Sequence, residues 1–185
     1  MLQEIQKGKL LLSEPSMLLD TIFGRSVIFL TEYNDQGAVG FIINKPIEHN
    51  LSDLIPDIKT ALPVYKGGPV EQDSLFFIHN QPDLIPYATE VSEGIFWGGD
   101  FEIVKELLNN GSLTQKNIRF FLGYSGWKNG QLEEEMDENS WIIVQNTYKS
   151  NLLTKAQSDF WKEQLVTLGD KYAIWANAPE NPELN

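Results

Sequence analysis

Short runs of β-branched and aromatic residues, each stopped by a glycine, proline or Asx turn, recur through this chain and constrain its fold more than any other feature. Residues 8–13 (GKLLLS), 26–31 (SVIFLT), 38–44 (AVGFIIN), 74–79 (SLFFIH), 94–97 (GIFW), 117–123 (NIRFFLG) and 140–145 (SWIIVQ) all read as strands, and 87–91 does so more weakly. Tyr33-Asn34-Asp35-Gln36-Gly37 separates the second and third runs with turn chemistry, so 26–44 is expected to be a β-hairpin. Lys45-Pro46 is expected to end it, since proline cannot donate to a ladder. Val64-Tyr65-Lys66 leads into a Gly67-Gly68-Pro69 turn.

Helical patterns are fewer. Residues 15–23 suit a short helix or a turn-rich link. Asn50 can cap a short helix that Pro56 stops. Asp100 can cap a helix carrying Phe101, Val104, Leu107 and Leu108, closed by Asn110-Gly111. The last helix is expected to begin at Thr154 and Gln157, which have capping-box spacing. It carries Ala156, Phe160, Trp161, Leu165 and Leu168 and ends at Gly169. The tail 178–185 is rich in proline and expected to be frayed. Strands without regular β-α-β alternation point to an α+β fold. At 185 residues with no dividing linker, one domain over 1–185 is expected.

Composition limits function. The net charge of −12 argues against nucleic-acid binding, which needs Lys and Arg to neutralise phosphates. No cysteine is present, which excludes disulfides, thiolate nucleophiles and cysteine zinc sites. No apolar stretch approaches a signal-peptide core or a membrane span, so a soluble, cytoplasmic chain without a membrane partner is expected.

Candidate chemistry is sparse. Gly123-Tyr124-Ser125-Gly126-Trp127 resembles a nucleophile elbow but carries Trp127 where a glycine should stand. Ser125 would need His49 or His79 as its base. His79, at the end of an apolar strand, reads better as a hydrogen-bonded packing residue. Gly94-x-x-x-Gly98-Gly99-Asp100 precedes a helix, but Asp100 would repel an anion there. The run Glu133-Glu134-Glu135 with Asp137-Glu138 lacks calcium-loop spacing and reads as a solvated face or a protected edge. No cofactor or metal is called for. Trp127 either packs over its glycine turn or stands partly exposed as an anchor for a partner. Asn129-Gly130 is a favoured hairpin dipeptide.

"GKLLLSEPSM", "FGRSVIFLTEYNDQGAVGFIINKP", "YKGGPV", "FFLGYSGWKNGQLEEEM" and "SWIIV" occur in the order and spacing of the YqgE/AlgH family of bacterial proteins, which this chain resembles from Gly8 to about Val144. The resemblance implies an α+β fold, with a bifurcated, mostly antiparallel sheet folded into a pseudo-barrel and a few flanking helices. It implies no catalytic residue, and the family has no established enzyme activity. Members usually carry alanine at the position of Ser125, which speaks against an obligatory nucleophile. Some members are described as regulators of transcription.

The functional expectation is a non-enzymatic binding or regulatory domain with a protein or small-molecule partner. Its surface would be built where the glycine turns converge: Asn44, Lys45 and Pro46; Gly67, Gly68 and Pro69; Gly98 and Gly99; and Gly123, Tyr124, Gly126 and Trp127. The alternatives are a DNA-associated regulator with a basic patch at Lys7, Lys9, Arg25 and Lys45, and a hydrolase using Ser125.

Overall fold

The computed structural model describes residues 4–179. The first three apolar runs form β1 (Leu10–Ser13), β2 (Val27–Asn34) and β3 (Gly37–Ile42), paired antiparallel in that order. The β2–β3 turn is held by Asn34, whose side-chain oxygen accepts from the Gln36 N–H at 2.8 Å. β4 (Pro46–Asn50) pairs antiparallel with β5 (Pro63–Lys66). Pro46 therefore opens a strand as well as ending the hairpin, a position where its missing donor does no harm. Between β4 and β5 lies α1 (Leu51–Leu54), where the Asn50 N–H donates to Asp53 at 2.8 Å.

β6 (Val70–His79), β7 (Thr89–Ser92) and β8 (Ile95–Trp97) follow, then α2 (Phe101–Asn109), capped by Asp100 accepting from the Ile103 N–H. The longest strand, β9 (Ile118–Lys128), leads to α3 (Gln131–Asp137) and β10 (Trp141–Val144). The chain ends in α4 (Leu152–Lys155), α5 (Phe160–Thr167) and α6 (Asp170–Ala176).

The strand path runs β10-β1-β2-β3-β9-β6-β8-β7 and does not close on itself. It forks at β9. The first half of β9 pairs antiparallel with β6, from His79↔Ile118 to Leu75↔Leu122, and parallel with β5, from Val64↔Phe120 to Lys66↔Leu122. The second half passes to β3, with Gly40 opposite Ser125 and Ala38 opposite Trp127. All other pairs described are antiparallel. The result is an α+β fold on a mostly antiparallel, forked sheet.

Alternation along β9 divides the interior, because successive side chains leave opposite faces. Phe121 joins Phe29, Phe41, Phe160 and Trp161 under α5, whereas Phe120 joins Val64, Phe77, Val104 and Leu108 under α2. A third cluster packs Leu11, Ile28, Trp127 and Trp141 against Leu132 of α3.

Three expectations are corrected. Asn129-Gly130 does not turn a hairpin: Gly130, at φ 82°, stands at the start of α3. The acidic run is that helix and not an edge strand, with Glu134, Asp137 and Glu138 exposed as a solvated face and Glu133 and Glu134 in the first turn, favourably for the helix dipole. The C-terminal stripe is not one helix. It breaks between α4 and α5, where Ala156 leaves helical geometry at ψ 86° and the Gln157 side chain donates to the Thr154 carbonyl instead of forming a capping box. Gly169 does end α5, but α6 follows it. Of the tail 178–185, residues 180–185 lie outside the described residues, while the Ala178 and Pro179 carbonyls accept from Arg25 at 2.9 and 2.8 Å.

One carboxylate of the acidic run is structural. Glu135 Oε2 accepts from the indole N–H groups of both Trp127 and Trp141, each at 2.8 Å, and the two rings meet edge to face. Glu135→Ala orphans both part-buried donors and is expected to cost about 2 kcal/mol or more in urea unfolding. Glu135→Gln, which keeps an acceptor oxygen, is expected to lose less.

Candidate functional site

The turns named from the sequence fall into two places. Gly67 binds three segments together: its N–H donates to Leu122 O and its carbonyl accepts from the Ile42 N–H, both at 2.8 Å, and from the Ser125 hydroxyl at 3.1 Å. A Cβ on Gly67 would collide with the Gly123 carbonyl oxygen, and one on Gly68 with the Tyr124 carbonyl. Backbone crossing this close requires glycine. The Asn44–Pro46 turn adjoins it, since the Lys66 N–H donates to Lys45 O at 2.8 Å. Asn44 is buried, accepting from the Val27 N–H at 2.9 Å and donating to Arg25 O at 3.0 Å.

Gly98 and Gly99 sit elsewhere. Gly98 N–H donates to Phe77 O, and Phe77 lies opposite Phe120. Val70, beside the Gly67–Pro69 turn, lies opposite Tyr124, four residues or about 13 Å further along β9. Trp127 is buried, bonded to Glu135 as above, so the reading of it as an exposed anchor is corrected.

The other candidates are similarly engaged. Ser125 is fully buried and donates to a backbone carbonyl, while His79 lies opposite Ile118, seven residues away along β9. His79 Nδ1 accepts from the Gln81 N–H, so Nε2 carries the proton given to Gly98 O, and burial lowers its pKa. The basic residues proposed as a patch each bind backbone carbonyls: Lys7 to Glu90, Lys9 to Glu4, Arg25 to Ala178 and Pro179, and Lys45 to Ile22. Among the described residues no group of three or more His, Asp or Glu is placed to hold a metal, and no helix is long and apolar enough to cross a membrane.

What sequence reasoning did not single out is Arg119. It is 5% exposed, yet among the described residues no carboxylate pairs with it. Its guanidinium donates to three carbonyls: Ile43 at 2.6 Å, Leu153 at 2.6 Å and Ala156 at 2.5 Å. It lies over the Tyr65 ring, with Cζ 4.2 Å from the centroid. The signal available was a lone arginine inside the apolar run Ile118-Arg119-Phe120-Phe121. Leu153 and Ala156 O would, in an unbroken helix, accept from the N–H four residues on. Arg119 takes both, so the break after α4 leaves neither carbonyl unpaired. Burial pushes the guanidinium down to about 10, so it remains charged at neutral pH.

Arg119 lines a pocket of about 300 Å³ between β5, β9 and α4. Tyr65 and Ile118 form its apolar wall, and Lys116, Thr154 and Gln157 its polar rim. A cleft of about 260 Å³ near Lys7, Lys9 and Lys149 differs, because Glu93 also lines it and pairs with Lys149 at 3.1 Å. A third, of about 350 Å³, is largely apolar and includes Asp73.

A family model described as AlgH-like (DUF179) matches residues 10–173. A UPF0301 protein of Bacteroides thetaiotaomicron is 42% identical over 183 residues, covering 97% of this chain and 91% of that protein. One from Chlorobium phaeobacteroides is 41% identical over 184 residues, covering 99% and 97%. The solution structure of AlgH from Pseudomonas aeruginosa aligns with a TM-score of 0.71 at 26% identity, over 97% of this chain and 98% of AlgH. A crystal structure from Corynebacterium diphtheriae shares the fold, with a TM-score of 0.73 at 20% identity over 96% and 95% of the two chains. These matches define a class of forked-sheet α+β bacterial proteins. The chain belongs to the AlgH-like, UPF0301 family.

Two outcomes test this electrostatic picture. Arg119→Met strands three carbonyls and is expected to lower unfolding free energy by about 3 kcal/mol or more in urea titration. Lys45 tests the second: burial, with Lys66 adding and Asp20 opposing, moves its amine from 10.5 to about 8. Between those values the unfolded chain binds the proton and the folded chain does not, so this group makes stability rise with pH. Unfolding measured below and above that window should show the rise in wild type, with this component missing from Lys45→Met.

Proposed function

We propose that this protein is a non-enzymatic binding domain and that the pocket between β5, β9 and α4 holds a small-molecule ligand. One observation carries the reading. In a chain of net charge −12, the residues lining this pocket include two cations, Arg119 and Lys116, and no carboxylate. Its volume lies at the small end of the range of ligand sites, roughly 300–1,000 Å³.

The glycine-turn cluster supports the same reading as a frame. Ile43 precedes the Asn44–Pro46 turn and supplies a carbonyl to Arg119. Tyr65 precedes the Gly67–Pro69 turn and supplies the aromatic wall. Gly123, Tyr124 and Gly126 continue β9, which carries Arg119. Rigid backbone crossings thus position a wall rather than form the contact surface. Gly98, Gly99 and Trp127 stand outside the pocket lining.

Thr154 is exposed at the rim; its hydroxyl donates to Asn151 O, and the hydrogen bond from Gln157 goes to its backbone carbonyl, which a side-chain substitution keeps. Thr154→Trp should fill the pocket and leave unfolding nearly unchanged. Equilibrium dialysis against a small-molecule extract of bacterial cells, read by mass spectrometry, is expected to show a species enriched by wild type and lost with the variant. No enrichment, or equal enrichment by both proteins, overturns this site.

A further inference from the structure

We propose that the Arg119 pocket is an oxyanion site, taking the carboxylate or phosphate group of a small molecule; this rests on the binding-domain reading above. A guanidinium offers five N–H donors. Arg119 gives three of them to the Ile43, Leu153 and Ala156 carbonyls, two from Nη1 and one from Nη2. Among the described residues no acceptor meets the Nε–H or the second Nη2 hydrogen. The buried side-chain atoms left without a partner are Arg25 Nη1 and Ser26 Oγ, and no Arg119 nitrogen is among them. The free Nε donor therefore reaches open space, and the open space that Arg119 lines is the pocket. Nε–H lies on a side edge of the guanidinium and is free to give a charge-assisted hydrogen bond to an oxygen of a carboxylate or phosphate.

Charge points the same way. The three carbonyls solvate the cation but do not neutralise it, and a buried charge without a counter-charge is strongly disfavoured. Tyr65 covers one face of the guanidinium and leaves its edge available. Lys116, exposed at the rim, adds a second positive charge along the approach. Thr154 and Gln157 place a hydroxyl and an amide nearby for the remainder of a ligand. A neutral ligand would leave the Arg119 Nε donor without a charged acceptor. A bound oxyanion would supply one.

Two-dimensional ¹H–¹⁵N spectra of the full chain test this, because the Arg119 Nε–Hε group gives its own signal. Benzoate, succinate and inorganic phosphate are titrated at constant ionic strength, with benzamide and succinamide as neutral counterparts. The anions are expected to move the Arg119 Nε–Hε signal and the Lys116 and Gln157 amides, and the neutral amides are not. Lys116→Gln is expected to weaken binding about threefold to tenfold without unfolding the chain. The benzoate and succinate arms against the phosphate arm identify which oxyanion the pocket prefers. Equal shifts from neutral amides would overturn the oxyanion inference while leaving a ligand pocket in place. No response at Arg119 from any anion, or the same response from chloride alone, would also overturn it. The wider binding-domain reading then stands or falls separately, on the dialysis with Thr154→Trp.

Discussion

Arg119 ties the C-terminal helices to the sheet with a single buried guanidinium. It reaches Ile43 at the end of β3, and Leu153 and Ala156 at the break after α4, from the second position of β9. Three segments distant in sequence meet on one planar group. An ammonium could not reproduce that geometry, because its donors point from one centre rather than from a flat fork. The break in the helical stripe and the pocket beside Tyr65 both lie where this cation sits.

Three other polar side chains of the interior are held by specific partners. Glu135 accepts from two indoles and from Gln131, so a charged side chain becomes the hub of an aromatic pair. His79 uses both ring nitrogens on backbone partners. Asn44 links the start of β2 to the end of the hairpin. Each of these residue types invites a catalytic or metal-binding reading when met in isolation. In the folded chain their hydrogen-bonding capacity is committed, and they serve the scaffold. Arg119 stands apart because its charge is not matched within the described protein.

Membership of the AlgH-like family settles the architecture and leaves function to the site. Relatives near 40% identity cover almost the whole chain, and solved relatives carry the same fold. The pocket lies at the start of β9, where β5 and the end of α4 border it, and the sheet forks further along β9, between Leu122 and Ser125. Helix ends and strand divergence leave space that regular ladders do not.

Much of the sheet was legible from local chemistry. The β-branched and aromatic runs, the Asn34-Asp35 turn, the Asp100 cap and the glycine stops each depend on a few neighbouring residues, so the sequence alone determines them. It also determines that Gly67, Gly68 and Gly123 are special, although not why. Tertiary structure decided the rest through contacts between distant segments. Gly130 starts a helix rather than a hairpin, and that helix brings Glu135 to two tryptophans. The last stripe breaks where a strand residue takes its carbonyls. Trp127 is buried because α3 folds back over it. Above all, Ile118-Arg119-Phe120-Phe121 reads as one charge in an apolar strand, and only the packing of Ile43 and the end of α4 against β9 gives that charge three acceptors.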